Sequence, residues 1–275
     1  MSAARVGDPA CPLEIIRRMP VRDRGRPRLL FVHGISVGAW IWDEHVLPWF
    51  AEAGFEACAL SLRGHGASWG QDGIAEWRLA DYTADLDQVA RSLGGPLVVV
   101  GHSLGGAVVQ NWIRTGGRPL GMALLASVPP WGLALSALRM GLSTPALFRA
   151  VLAMSLHGAR AADPAILRAG LFSDDVDKSS FRRFVARVGE ESRLVGPELQ
   201  GWPPFAPLAW QAPRSFVLGG ADDRFIPADE VWRTGAYYGC RPHIVPRLAH
   251  ALMLEPRWQD AVLPLRDWLL TLPRG

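Results

Sequence analysis

The sequence predicts an α/β fold: a mostly parallel twisted sheet with helices on both faces, interrupted by one helical insertion. Three observations predict it. Short apolar, β-branched runs alternate with helix-length amphipathic segments, the rhythm of a parallel sheet. Several runs are apolar at every position, as strands buried on both faces must be. The alternation breaks at Val128-Pro129-Pro130-Trp131 and resumes near Ser215, with no clear strand between. The 275-residue chain thus divides into a core of residues 1–128 and 214–275 and an insertion of residues 129–213.

Residues 13–19 read as the first strand and Asp23-Arg24-Gly25-Arg26-Pro27 as a turn. Residues 28–32 form the next strand, running into His33-Gly34-Ile35-Ser36. A helix over residues 40–53 follows, with Trp42, Val46, Trp49 and Phe50 on its apolar face; Gly54 closes it and Pro48 disturbs it. Residues 55–60 are a third strand, and Ser61-Leu62-Arg63-Gly64-His65-Gly66-Ala67-Ser68 a loop. Asp81 is read as the cap of a helix reaching Leu93. After the breaker Gly94-Gly95-Pro96 comes a buried strand from Leu97, then a helix that stops at Gly116-Gly117. Residues 121–126 form another buried strand.

In the insertion, Thr144-Pro145 and Asp163-Pro164 each place a cap before a proline at the first helical position. Phe181, Phe184, Val185 and Val188 share a helical face opposite Arg182, Arg183 and Arg187. Leu133, Leu135, Leu138, Met140, Leu142, Leu147, Phe148, Leu152 and Met154 read mostly as the insertion's own core. Strand character returns at residues 215–218, a helix starts near Asp229, and residues 243–245 are the last strand. The final helix turns Leu265, Trp268 and Leu269 inward, and Pro264 is read as starting its second part.

Composition excludes several function classes. The net charge is only +3, and the hydrophobic and charged shares, 49% and 20%, are those of an ordinary globular domain. No basic run or nucleic-acid motif occurs, so DNA and RNA are poor partners. The arginines at 22, 24, 26 and 28, and at 182, 183 and 187, read as solvated faces. Cys11, Cys58 and Cys240 lack metal-ligand spacing; Cys58 and Cys240 are assigned to strands as small core residues. So sparse and odd a cysteine count points to a reducing compartment. Residues 1–12 lack the apolar run of a signal peptide, and no stretch is long enough to span a membrane. The expectation is a cytoplasmic monomer or homodimer without membrane insertion.

Gly101-His102-Ser103-Leu104-Gly105 fits Gly-x-Ser-x-Gly, a sharp strand-to-helix turn that lifts a serine hydroxyl clear of the sheet. Glycines are needed where strand and helix close up. In a chain with 29 glycines the bare pattern is weak; the strand before it, the helix after it and partners elsewhere strengthen it. A serine needs a base, and the base a carboxylate to orient it. Ser103, then Asp222 or Asp223, then His250 follow the ends of strands in that order.

These pieces resemble the α/β-hydrolase-fold serine hydrolases of the lysophospholipase-like and carboxylesterase-like group. The resemblance rests on His33-Gly34, the Arg63 to Ser68 loop, the Gly101 to Gly106 turn, Gly220 through Pro227, and the residues around His250. It implies an α/β-hydrolase fold, with Ser103 as nucleophile, His250 as base and Asp223, three residues after Gly220 and four before Pro227, as acid. The backbone N–H groups of Ile35 and Leu104 would form the oxyanion hole. His33 would brace its loop, and His33, Trp40, His102 and Trp131 are candidates for the substrate pocket. The implied activity is hydrolysis of a small-molecule carboxylic ester with an apolar acyl or alcohol part, without metal or organic cofactor. The same triad serves thioesters, amides, lactones and carbon–carbon bonds, and a ligand receptor could share the fold. Haloalkane dehalogenases and epoxide hydrolases resemble this fold but carry aspartate where Ser103 stands.

Overall fold

A computed structural model of the chain describes residues 2–6, 10–158 and 161–273. Eight strands form one sheet: β1 (Ser2–Val6), β2 (Leu13–Arg18), β3 (Arg28–Val32), β4 (Ala57–Leu60), β5 (Leu97–His102), β6 (Gly121–Leu125), β7 (Arg214–Gly220) and β8 (His243–Val245). Their order is β1-β2-β4-β3-β5-β6-β7-β8. The β1–β2 and β2–β4 pairs are antiparallel and the rest are parallel. β1 is a strand the sequence reading lacked. Its small and polar residues carry no strand pattern, and it exists through its ladder to β2.

The central strands are buried at every residue, as their unbroken apolar runs require. Successive side chains still alternate between two core layers. Leu30, Val32, Leu97 and Val99 face α3 (Leu79–Leu93), α4 (Leu104–Arg114) and α10 (Ala228–Tyr237). Leu29, Phe31, Val98 and Val100 face α1 (Trp40–Asp43), α2 (Val46–Glu52) and α11 (Gln259–Leu269). Helices on both faces place every parallel strand's carboxyl end on one rim, where the loops that carry chemistry gather.

Several local expectations are corrected. The helix expected over residues 40–53 is two helices, α1 and α2, and the break precedes Pro48. Pro48 lies in the first turn of α2, where its missing N–H is no loss. Asp81 is not the cap of α3 but its third residue; Arg78 holds the cap position, and its N–H donates to the Asp81 carboxylate at 2.8 Å. Pro264 does not divide the last helix, which runs unbroken because Ala261, Val262, Leu265 and Leu269 bury its inner face on the sheet. Cys58 lies in β4, but Cys240 sits in the turn between α10 and β8.

Residues 129–213 contain α5 (Ala134–Ser143), α6 (Pro145–His157), α7 (Pro164–Leu171), α8 (Lys178–Val185) and α9 (Val195–Glu198), and no strand among the described residues. Pro145 and Pro164 start their helices as expected, but only Asp163 makes a side-chain cap, to the Ala165 N–H at 2.8 Å. The Phe181 and Phe184 rings pack on Phe172, whereas Val185, at the helix end, is exposed. The expected leucine-rich core is smaller than the sequence suggested. Met140 and Leu147 are buried, but Leu135, Leu138, Leu142 and Leu152 face outward.

Candidate active site

The β5–α4 turn builds the centre of the rim. Ser103 takes φ 52° and ψ −119°, a left-handed backbone that side chains rarely adopt. Such strain costs about 1–3 kcal/mol and must be held from outside. The holding bonds are Ser103 N–H to the Leu125 carbonyl at 3.3 Å, and Gly106 and Val128 N–H to the Ser103 carbonyl at 3.0 and 3.2 Å. The glycines are sterically required. A Cβ on Gly101 would lie 2.5 Å from the Gly105 oxygen, and one on Gly105 would collide with the carbonyls of Val32 and His33.

Three rim loops meet at this turn. His250, after β8, places Nε2 3.0 Å from the Ser103 hydroxyl oxygen and Nδ1 2.8 Å from Oδ2 of Asp223. Oδ1 of Asp223 accepts the N–H groups of Phe225 and Ile226 at 2.8 and 2.9 Å, so the carboxylate is fixed by its own loop. Asp223 is buried and Asp222 exposed, its N–H bonded to the Leu248 carbonyl. Of the two acids left open by strand order, the structure brings only Asp223 to the imidazole. The Phe225 ring lies 5.0 Å from the His250 ring, a neighbour the sequence reading did not single out.

Leu104 is the first residue of α4, so its N–H points out of the helix end, where the peptide dipoles favour negative charge. Ile35 follows β3 and is exposed on the same rim. His33 does not line a pocket: it is wholly buried. Its Nε2 accepts the Leu62 N–H at 3.0 Å and its Nδ1–H donates to the Gly34 carbonyl at 2.7 Å. Burial, then the nearby His65, push its pKa down to about 3, so the ring is neutral. That carbonyl and the Ile35 N–H belong to one planar trans peptide, so holding one orients the other.

His102, another pocket candidate, is also buried, beneath Gly34 and behind His250. Its Nε2–H donates to the His250 carbonyl at 2.9 Å, which props the backbone of His250. Burial, then His250, hold its pKa well below the usual histidine value. Trp40 is buried with Arg187 4.2 Å above its ring and Phe184 6.0 Å away. Trp131 is half-buried and donates its indole N–H to the buried Glu230 carboxylate at 3.0 Å.

The serine, imidazole and carboxylate form one hydrogen-bonded chain through which a proton can pass from hydroxyl to ring. Among the described residues no group of three or more His, Cys, Asp or Glu side chains could hold a metal, and no helix is long and apolar enough to cross a membrane. A surface groove of about 670 Å³ beside β8, lined by Trp232, Arg241, Pro242 and Pro264 among others, includes none of these site residues.

Known proteins give this geometry a context. Epoxide hydrolase A of Mycobacterium tuberculosis is 32% identical over 97 residues, 35% of this chain and 30% of that protein. Lipase LipV of the same species is 36% identical over 110 residues, 38% of each chain. The matched stretch thus spans about a third of each relative's length. Among solved structures, a protein provisionally assigned as an aryl esterase from Burkholderia cenocepacia superposes with a TM-score of 0.75, covering 98% of this chain and 100% of its own at 21% identity. The model of the alpha/beta hydrolase family matches residues 29–263, from β3 into the last helix. The chain belongs to the alpha/beta hydrolase family.

Proposed function

We propose that the protein hydrolyses a carboxylic ester through an acyl-enzyme on Ser103. The observation that carries this reading is the unbroken relay from the Ser103 hydroxyl through His250 to Asp223, at 3.0 and 2.8 Å. The named lipase and esterase similarities support the same class.

Ser103 Oγ attacks the ester carbonyl while His250 Nε2 takes its proton. The carbonyl electron pair moves onto oxygen, and the Leu104 and Ile35 N–H groups bind that oxyanion. On collapse the carbon–oxygen bond to the alcohol breaks, and the His250 proton leaves with the alcohol. A water then repeats the attack on the acyl-enzyme, His250 acting again as base, and the acid departs. Asp223 keeps Nδ1 protonated and offsets the imidazolium charge. The reaction needs no metal or organic cofactor.

In this reading residues 129–213 are a cap over the rim. It is tethered beside the base: Ala251 N–H donates to the Leu171 carbonyl at 2.9 Å, and Ser173 N–H and hydroxyl donate to the buried Glu255 carboxylate at 2.7 and 2.5 Å. Leu147, Gly170 and Phe225 meet near His250 and give the site an apolar wall, which fits an apolar acyl or alcohol group. The three free cysteines fit a reducing cytoplasm, and a monomer or homodimer suffices for a site built within one chain.

The experiment is burst release from p-nitrophenyl esters with fluorophosphonate labelling. Wild-type protein labels once, on Ser103, and turns over. Ser103→Ala loses the label and about 10⁴-fold or more in kcat. Tight ligand binding without turnover or labelling overturns the assignment.

A further inference from the structure

The Ile35 N–H can serve an oxyanion only if its loop is rigid; His33 holds the peptide before Ile35, and the peptide after it is held from outside the loop. Ser36, the next residue, is non-glycine with φ 60° and is buried. Its backbone is gripped on both sides by the return arm of the 129–213 segment. The Ser36 N–H donates to Oε2 of Glu191 at 2.9 Å, and its carbonyl accepts the Gly189 N–H at 2.8 Å. These are the two backbone groups that flank Ser36 and so set the direction of the peptide leaving Ile35.

Glu191 is itself locked. Oε1 accepts the Tyr82 hydroxyl at 2.7 Å and the Ser192 N–H at 2.8 Å, and Oε2 faces His65 Nε2 at 3.1 Å. The other ring nitrogen of His65 faces the Arg63 carbonyl at 3.0 Å. With an oxygen acceptor at each nitrogen, both must carry hydrogen, so the ring is an imidazolium. A carboxylate with four donors, one of them a cation, is satisfied where a lone buried charge is not. The remaining ionisable neighbours are compatible. His33, its ring 5.0 Å from His65, is neutral, and Asp85 is tied to the Arg63 guanidinium at 2.7 Å. The arm is fastened further by Ser192, whose hydroxyl donates to the Trp77 carbonyl, and by Arg193 N–H to the Ala75 carbonyl at 3.2 Å.

We propose that Glu191, paired with the His65 imidazolium, is the positioning residue of the oxyanion loop: it holds Ser36 and so aims the Ile35 N–H at the reacting carbonyl. The 129–213 segment thereby completes the catalytic machinery of the core rather than only covering it. This rests on the reading of Ser103 as nucleophile and Ile35 as oxyanion donor.

The test uses the whole protein with Glu191→Gln, Glu191→Ala and, as a stability-matched control, Leu265→Ala, buried in the opposite core layer on α11. A glutamine has one acceptor oxygen for donors that now share two, so it must shift even if the fold survives. Kinetics on p-nitrophenyl butyrate, inhibition by phenylboronic acid, melting temperature and amide exchange at Ser36 are read together. Misaimed donors cost rate, not ground-state binding, so Glu191→Gln lowers kcat by about 10–100-fold with KM nearly unchanged. Phenylboronic acid, which forms a tetrahedral adduct on the serine, weakens by the same factor. Leu265→Ala lowers the melting temperature but keeps kcat. Wild-type kcat and boronate affinity in both Glu191 variants, or an equal kcat loss in Leu265→Ala, overturn the proposal. If wild-type protein neither turns over ester nor takes boronate, it is the hydrolase reading that fails. The clamp is then decided by Ser36 exchange: about tenfold acceleration in Glu191→Gln upholds it and unchanged protection overturns it.

Discussion

Asp223 binds His250 with one carboxylate oxygen and its own loop with the other: Oδ2 lies 2.8 Å from Nδ1 of the imidazole, while Oδ1 accepts the Phe225 and Ile226 N–H groups. The acid is therefore oriented before substrate arrives. Asp223→Asn keeps the volume but favours the wrong tautomer of His250, and kcat should fall by about 10⁴-fold. Asp222→Asn, on an exposed side chain, should change kcat less than about twofold. Steady-state kinetics on one chromogenic ester decide between the neighbours.

Gly105 lets α4 approach β3 so closely that a methyl group would enter the carbonyls of Val32 and His33. Both obstacles are backbone, so no side chain can move aside. Gly105→Ala should cost about 3 kcal/mol or more and displace the Ser103 turn from His250. Thermal melts and fluorophosphonate labelling check this; a variant with unchanged melting temperature and labelling would refute the steric account.

His33 and His102 are buried and neutral, with pKa values pushed down by burial first, His33 to about 3. In the unfolded chain both take up a proton near pH 6.5. Below that pH the unfolded state binds more protons than the folded one, so stability is complete above about pH 6.5 and falls as pH drops toward 3. Each group contributes a slope of about 1.4 kcal/mol per pH unit in that window. His65 has the opposite sign: its pKa is raised, because Glu191 and its hydrogen bonds outweigh burial, so its contribution fades above pH 6.5. Urea midpoints at pH 5, 6 and 7 should rise with pH, and a flat series would show that the imidazoles are not buried neutral.

Trp131 joins the 129–213 segment to α10 through Glu230, which is fully buried and has Arg139 and Arg233 at 3.4 and 3.6 Å. Trp131→Phe removes the 3.0 Å donor and leaves part of a buried carboxylate unsatisfied. The cost should be about 1–3 kcal/mol, a melting shift of several degrees in a chain of this size. Wild-type melting in Trp131→Phe would mean that the arginines alone suffice.

How far the sequence was legible depends on the range of the interaction. The strands from β3 to β7 were visible because their burial demands continuous apolar runs, and β2 and β8 could also be read although both are only partly buried. Ser103, an acid at Asp222 or Asp223, and His250 could be picked out because strand-end loops converge on one rim whatever lies between them, and the family resemblance favoured Asp223. β1 left no trace, since its residues carry no apolar alternation and its ladder to β2 is a pairing no local pattern encodes. The boundaries around Pro48, Asp81 and Pro264 were misjudged because a proline or an aspartate signals locally, while packing and caps from elsewhere fix where a helix begins and whether it continues.

The amino-acid sequence by itself determined the layered α/β architecture, the strained serine turn and the order of the three relay residues, because periodicity and local backbone sterics are written residue by residue. Only the tertiary structure decided which of two adjacent aspartates meets the imidazole, that His33 and His102 are buried braces rather than pocket walls, and that Glu191 grips Ser36. Those outcomes depend on hydrogen bonds and burial between residues on different elements, 27 positions apart for Asp223 and His250 and 155 for Ser36 and Glu191, and no local pattern encodes a contact of that kind.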